Sequence, residues 1–99
     1  QAAVFPLVKK DGMPEIAEKL AEELRGKFNI FYDAAGSIGR RYRRQDETGT
    51  PFCITVDGQT GEDQMVTVRN RDTLDQTRVP LSQVSQYLHE AIHATDPHA

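Results

Sequence analysis

The sequence has few of the features on which secreted and membrane proteins depend. Cys53 is its only cysteine, so no disulfide can form within the chain, which favours a reducing intracellular compartment. No apolar run is long enough to cross a membrane, and the N-terminus carries no signal-peptide pattern. The chain also starts at Gln1 without an initiator methionine. These absences predict one cytoplasmic domain, residues 1–99, cut from a longer polypeptide.

The sequence also lacks a complete catalytic set. It has neither a G-x-G-x-x-G pattern nor a P-loop lysine pattern, which leaves a nucleotide cofactor unsupported. The run from His89 to His93 fits the H-E-x-x-H zinc motif, but both histidines project away from the apolar side of the predicted helix. We therefore expect no catalytic residue, no metal site and no cofactor in this chain. A metalloprotease or a nucleotide-dependent enzyme remains an alternative.

Hydrophobic periodicity predicts an α/β fold. Apolar or alternating runs indicate five strands, at residues 2–8, 29–33, 51–56, 65–71 and 76–80. Apolar residues at three- and four-residue spacing predict one helix that ends at Gly26 and another that starts at Leu81. A third helix starts at about Ile38, which gives the element order βαβαβββα. Residues 94–99 are expected to form a disordered tail.

Positive charge is concentrated in the stretch Gly36–Thr50. Four arginines fall within five residues: Arg40, Arg41, Arg43 and Arg44. The formal net charge of the chain is −3, so the residues other than these four arginines are together strongly acidic. Ser37 predicts the N-cap of the helix, and each arginine near a helix N-terminus is unfavourable by roughly 0.3–1 kcal/mol. An anionic partner would offset this cost, because it accepts from guanidinium groups and free N–H groups together.

Helical periodicity divides this arginine helix into two faces. The side that packs on the sheet is expected to hold Ile38, Tyr42 and Gln45. The opposite side is expected to hold Arg40, Arg43, Arg44 and Glu47. Arg41 falls on the flank between them. Because Arg43 can pair with Glu47 at i,i+4, the guanidinium groups of Arg40, Arg41 and Arg44 are expected to stay free.

Two further arginines, Arg69 and Arg71, fall on the predicted fourth strand. Alternation along this strand places both on the face opposite its core valines, or at the exposed end of the strand. We expect them to extend the basic surface of the arginine helix. Ion pairs with Asp72 or Asp75 are the alternative.

The run Gly36–Phe52 closely resembles the C-terminal anticodon-binding domain of the dimeric class II glycyl-tRNA synthetases. The resemblance extends to Phe5–Gly12, Ile54–Asp57 and Val66–Thr73, and it covers the chain up to about Leu88. It implies a three-layer α/β/α fold with a five-stranded mixed sheet and three helices. That fold agrees with the element order derived from periodicity.

The resemblance implies a function in tRNA recognition. In glycine tRNAs the second and third anticodon bases are both cytosines, and the family motif places Arg40 and Arg71 against those bases. Arg41, Arg44 and Arg69 are then expected to support the RNA backbone or the base edges. The parent enzyme is implied to be a cytoplasmic homodimer that charges the tRNA with ATP and Mg at a catalytic core outside these residues. A non-synthetase protein with this fold, such as a polymerase accessory subunit or a protein-interaction module, is the alternative.

Overall fold

The apolar runs of the sequence form five strands in the computed structural model, which describes residues 1–8 and 12–95. The strands are β1 (Ala2–Pro6), β2 (Ile30–Tyr32), β3 (Phe52–Val56), β4 (Met65–Asn70) and β5 (Gln76–Pro80). The helices are α1 (Met13–Arg25), α2 (Ile38–Thr48), α3 (Thr60–Asp63) and α4 (Val84–Thr95), and a 3-10 turn (Leu81–Gln83) precedes α4. The expected element order is therefore present, with one short helix added.

The strands form one mixed sheet in the order β2-β1-β3-β4-β5. β1 runs parallel to β2 and to β3, with Val4 opposite both Tyr32 and Ile54. β4 is antiparallel to β3 and to β5. The parallel half follows from helical crossovers, whereas the short turn after β4 permits only an antiparallel neighbour. As a result, the carboxyl ends of β1 and β2 and the start of α2 meet at one edge of the sheet.

The alternation of side chains along the strands gives the sheet two buried faces. On one face, Val4, Ile54 and Val66 pack against apolar residues of α1 and α4, including Leu20 and Leu88. On the other face, α2 covers a smaller apolar group made of Ala3, Phe5, Cys53, Ile38 and Tyr42. The structure therefore has the three layers α/β/α that the resemblance implies.

The structure differs from the sequence-based expectations at two places. Helix α3 is absent from the predicted element order. It forms because the Asp57 carboxylate accepts hydrogen bonds from the N–H groups of Gln59 and Thr60, at 3.0 and 3.2 Å. A helix of one turn is too short to show apolar periodicity. Helix α4 continues to Thr95, so the first two residues of the expected tail 94–99 are helical. Residues 96–99 lie outside the described residues.

The packing of α4 on the sheet predicts a strong effect for one core substitution. Leu88 is fully buried among the core residues, so Leu88→Ala should lower the free energy of unfolding by about 2–5 kcal/mol, through lost burial and a cavity. The measurement is urea denaturation. Leu74→Ala is the matched control, because Leu74 is 62% exposed and should change stability by less than about 0.5 kcal/mol. Equal effects of the two substitutions would contradict the packing of α4.

Candidate nucleic-acid interface

Helix α2 starts where the sequence predicts. The Ser37 hydroxyl accepts a hydrogen bond from the N–H of Arg40 at 3.3 Å, which is an N-cap. The helix ends at Gly49, whose φ of 87° lies in the left-handed region that favours glycine. The first turn of α2 contains no acidic residue. The amino end of α2 therefore combines free backbone N–H groups with arginine side chains, and this combination favours the binding of an anion.

Tyr42 fixes α2 to the sheet from its inner face. Its ring meets Phe5 edge-on, with ring centroids 5.4 Å apart, and its hydroxyl is hydrogen-bonded to the Thr55 hydroxyl. Ile38 and Gln45 lie on the same side, as periodicity predicts. The opposite side of α2 is left exposed.

Arg41 is buried, and the expectation that its guanidinium stays free is wrong. Its side chain is on the inner side of α2, and the residue is only 3% exposed. Nη1 donates to the Pro6 carbonyl and, at 3.4 Å, to the Asp33 carbonyl. Nη2 donates to the Leu7 carbonyl at 3.0 Å. These carbonyls follow the ends of β1 and β2, where the strand ladders no longer supply donors, and a charged donor satisfies them.

Arg44 is also engaged, contrary to the sequence-based expectation. Its Nε and Nη2 lie 2.9 and 2.8 Å from Oδ2 of Asp33, and Nη2 donates to the Ala35 carbonyl at 2.9 Å. Asp33 is buried directly after β2, whereas the Arg44 side chain is 47% exposed. One side of the Arg44 guanidinium is therefore held by the protein while the other faces solvent. The position of Asp33 at the carboxyl end of a strand was the signal in the sequence for this partner.

Arg40 and Arg43 are the exposed arginines of α2 without a carboxylate. Among residues 1–8 and 12–95, neither side chain makes a hydrogen bond or an ion pair, and the expected pair between Arg43 and Glu47 does not form. The Arg40 side chain lies over Gly36, since a Cβ placed on Gly36 would be 3.8 Å from its Cδ. Two unpaired arginine side chains therefore lie on the exposed side of α2, and Arg40 lies at the amino end of the helix.

Arg69 joins β4 to the same surface. Its guanidinium lies 5.0 Å from the centroid of the Tyr42 ring and donates to both carboxylate oxygens of Asp46, at 3.1 and 3.4 Å. The hydrogen bond with Asp46 raises the pKa of Arg69 above its ordinary value. Asp46, in the carboxyl-terminal half of α2, is thus the partner of Arg69, instead of Asp72 or Asp75, which were named as alternatives. Sequence alone did not indicate this pair, because its members lie 23 residues apart.

Arg71 stands at the other end of α2 from Arg40. Its Nε and Nη2 donate to Oδ1 of Asp72 at 3.2 and 3.1 Å, which is one of the ion pairs named as an alternative. A Cβ placed on Gly49 would be 3.2 Å from Nη1 of Arg71, so this guanidinium lies against the carboxyl end of α2. The structure thus brings the strand arginines alongside the helix. We call the group Arg40, Arg43, Arg44, Arg69 and Arg71 the arginine surface. Its least exposed member is Arg69, whose side chain is 15% exposed.

Two features of the described residues concern catalytic chemistry, the Cys53 thiol and the grouping of possible metal ligands. Burial raises the pKa of the Cys53 thiol to about 11, which leaves it protonated and unreactive near neutral pH. No group of three or more His, Cys, Asp or Glu among the described residues could hold a metal ion. The side chain of His93 lies outside the described part, so the H-E-x-x-H pattern is untested. Within the same residues, no helix has the length and apolar content needed to span a bilayer.

The burial of Arg41 predicts that it stabilises the domain. Arg41→Ala removes the donor from three carbonyls, of which those of Pro6 and Asp33 are buried. Each buried carbonyl left without a donor costs roughly 1–3 kcal/mol, so the substitution should lower the free energy of unfolding by at least about 2 kcal/mol. Arg41→Met should do the same while filling the space. Arg43→Ala is the matched control on the exposed side and should change stability by less than about 0.5 kcal/mol. Urea denaturation measures all three, and an Arg41 variant as stable as the control would refute the structural role.

Comparison with known proteins gives glycine–tRNA ligases among the relatives of this chain. A glycine–tRNA ligase of Rhodopirellula baltica is 57% identical over 95 residues, which are 96% of this chain and 18% of the relative. A glycine–tRNA ligase of Corynebacterium glutamicum is 60% identical over 88 residues, which are 89% of this chain and 19% of the relative. The chain thus spans about a fifth of the length of these relatives.

Solved structures and a family model agree with this result. The RNA binding domain of threonyl-tRNA synthetase from Cryptosporidium parvum superposes with a TM-score of 0.80 at 25% identity, over 91% of this chain and 23% of that one. Prolyl-tRNA synthetase from the same organism gives a TM-score of 0.84 at 18% identity, over 95% of this chain and 21% of that one, and supports the fold alone. The family model described as the anticodon binding domain matches residues 1–91. The chain therefore belongs to the anticodon-binding domain family.

Proposed function

We propose that this chain reads the anticodon loop of glycine tRNA for a glycine–tRNA ligase. The observation that carries the proposal is the arginine surface, which runs along α2 from Arg40 to Arg71 on a chain whose net charge is −3. The identity of 57–60% to glycine–tRNA ligases supports glycine tRNA as the ligand. Unpaired loop bases suit such a surface, because they present edges to guanidinium donors and faces to guanidinium planes.

Each arginine has a distinct part in this proposal. Arg40 and Arg71 contact the two anticodon cytosines, one from each end of α2. Arg44 and Arg69 support the RNA from positions held by carboxylates, so little side-chain entropy is lost on binding. Arg41 supports recognition indirectly, since its guanidinium is buried under α2 and holds the helix at the strand ends.

The parent enzyme would supply the chemistry. We propose that it is a cytoplasmic homodimer that charges glycine tRNA with ATP and Mg at a catalytic core outside this chain. The described residues have no cluster suited to a metal ion, so no step of that reaction is assigned to them. The contribution of this chain is selection of the tRNA.

Base contact by Arg40 predicts a selective loss of affinity. Arg40→Ala should weaken binding of a glycine anticodon stem-loop by about 1–3 kcal/mol, which is roughly 5- to 150-fold, because one good base contact is lost. An unrelated stem-loop should lose much less. Fluorescence anisotropy with labelled stem-loops measures both. Arg25→Ala is the matched control, since Arg25 is exposed on α1 across the sheet from α2; an Arg40 variant that weakens both RNAs equally would contradict specific reading.

The exposed arginines of α2 also predict an affinity that falls as the salt concentration rises. Each phosphate contact on a single strand contributes about −0.7 to the slope of log affinity against log salt concentration. Because Arg40 is assigned to a base, two phosphate contacts, from Arg43 and Arg44, give a slope of roughly −1.4. Arg43→Ala should reduce the slope by about 0.7 and weaken all stem-loops alike. An affinity that stays constant between about 50 and 200 mM salt would count against the arginine surface as the RNA site.

A further inference from the structure

The turn between β4 and β5 holds an exposed arginine and an exposed aspartate side by side. Arg71 donates from Nε and Nη2 to Oδ1 of Asp72. The Arg71 side chain is 36% exposed and the Asp72 side chain is 69% exposed. In the part of the chain that the structure describes, Oδ2 of Asp72 and Nη1 of Arg71 make no hydrogen bond. The pair therefore offers an acceptor and donors to a ligand at the same time.

The backbone that carries this pair is held by several hydrogen bonds. The Asn70 side-chain oxygen accepts from the N–H groups of Asp72 and Thr73, at 2.8 and 3.2 Å. The N–H of Arg71 donates to the Pro51 carbonyl at 2.9 Å, and the N–H of Asn70 donates to the Asp75 carbonyl at 2.9 Å. None of these bonds uses the side chain of Asp72. That side chain is therefore positioned by the turn without being needed to form it.

The order of groups along the pair has a definite chemical complement. The carboxylate contacts the Nε and Nη2 side of the guanidinium, so the sequence of groups is acceptor, donor, donor, with Nη1 furthest from the carboxylate. The Watson–Crick edge of cytosine presents the complementary series, which is the N4 amino donor followed by the N3 and O2 acceptors. Uracil places the O4 acceptor where cytosine has the amino group. Guanine has an acceptor where cytosine has a donor, and donors where cytosine has acceptors. Adenine matches only the first two positions.

We propose that Asp72 is a specificity-determining residue that accepts a hydrogen bond from the N4 amino group of an anticodon cytosine, while Arg71 donates to N3 and O2. The carboxylate rejects uracil, because its oxygen would face the uracil O4. This proposal rests on the proposed function, since it assigns a role at the same RNA site. It differs from a simple salt bridge, in which Asp72 would only hold or neutralise Arg71.

The test compares binding of anticodon stem-loops that carry cytosine at both of the last two anticodon positions, or uracil at one of them. The variant is Asp72→Asn, whose amide can accept from the cytosine amino group or donate to the uracil O4. Wild type should prefer cytosine by about 5- to 150-fold at each position, the range for one good base contact. At one of the two positions, Asp72→Asn should reduce this preference to about threefold or less, mainly through tighter binding of the uracil RNA. The preference at the other position should be unchanged.

Asp75→Asn is the matched control, because Asp75 is an exposed acid in the same turn and its substitution removes the same charge. It should tighten all stem-loops by a similar factor and leave the preference for cytosine intact. If Asp72→Asn also keeps that preference at both positions, or weakens cytosine and uracil RNAs equally, the role of Asp72 is refuted. If wild type itself shows no preference between the stem-loops, the proposed function fails instead.

Discussion

The buried guanidinium of Arg41 is the interaction on which the interface depends. Strands β1 and β2 end where α2 begins, and their last carbonyls have no further strand to pair with. Arg41 donates to these carbonyls from the side of α2 that faces the sheet, and its guanidinium lies 5.8 Å from the centroid of the Phe5 ring. A buried charge without a carboxylate is tolerable only when several dipoles surround it, as these carbonyls do. Because this contact and Tyr42 fix α2 on the sheet, they also fix the direction in which the opposite side of α2 presents its arginines.

The carboxylates beside the arginine surface position its cations more than they neutralise them. Asp33, Asp46 and Asp72 hold Arg44, Arg69 and Arg71 in single orientations, whereas Arg40 and Arg43 have no carboxylate partner in the described residues. The exposed Arg71–Asp72 pair contributes little net energy, about 0–1 kcal/mol, whereas displacing Arg44 would leave the buried Asp33 carboxylate unpaired. RNA is therefore expected to contact the solvent side of Arg44 without displacing Asp33. Five arginines beside three paired aspartates leave the arginine surface with a net positive charge.

Sequence reasoning succeeded where the information is local and failed where it is tertiary. The N-cap at Ser37 and the inward side of α2 could be predicted, because capping and helical periodicity depend on neighbouring residues. Periodicity placed Arg41 on a flank but could not show that strand-end carbonyls lie within its reach. The partners of Arg44 and Arg69 were missed for the same reason, since each pair joins residues more than ten positions apart. The short helix after β3 has no periodicity to detect.

The spacing of the surface limits the RNA that can fill it. Threonyl- and prolyl-tRNA synthetases share this fold, so the fold alone cannot select one tRNA, and selection must lie in side chains. Arg40 stands at the amino end of α2 and Arg71 beside Gly49 at its carboxyl end, which at 1.5 Å per residue are about 13 Å apart along the helix. Stacked bases in a helix are only about 3.4 Å apart. We therefore expect two neighbouring bases that contact these arginines to be unstacked, a state open to an anticodon loop and closed to a duplex.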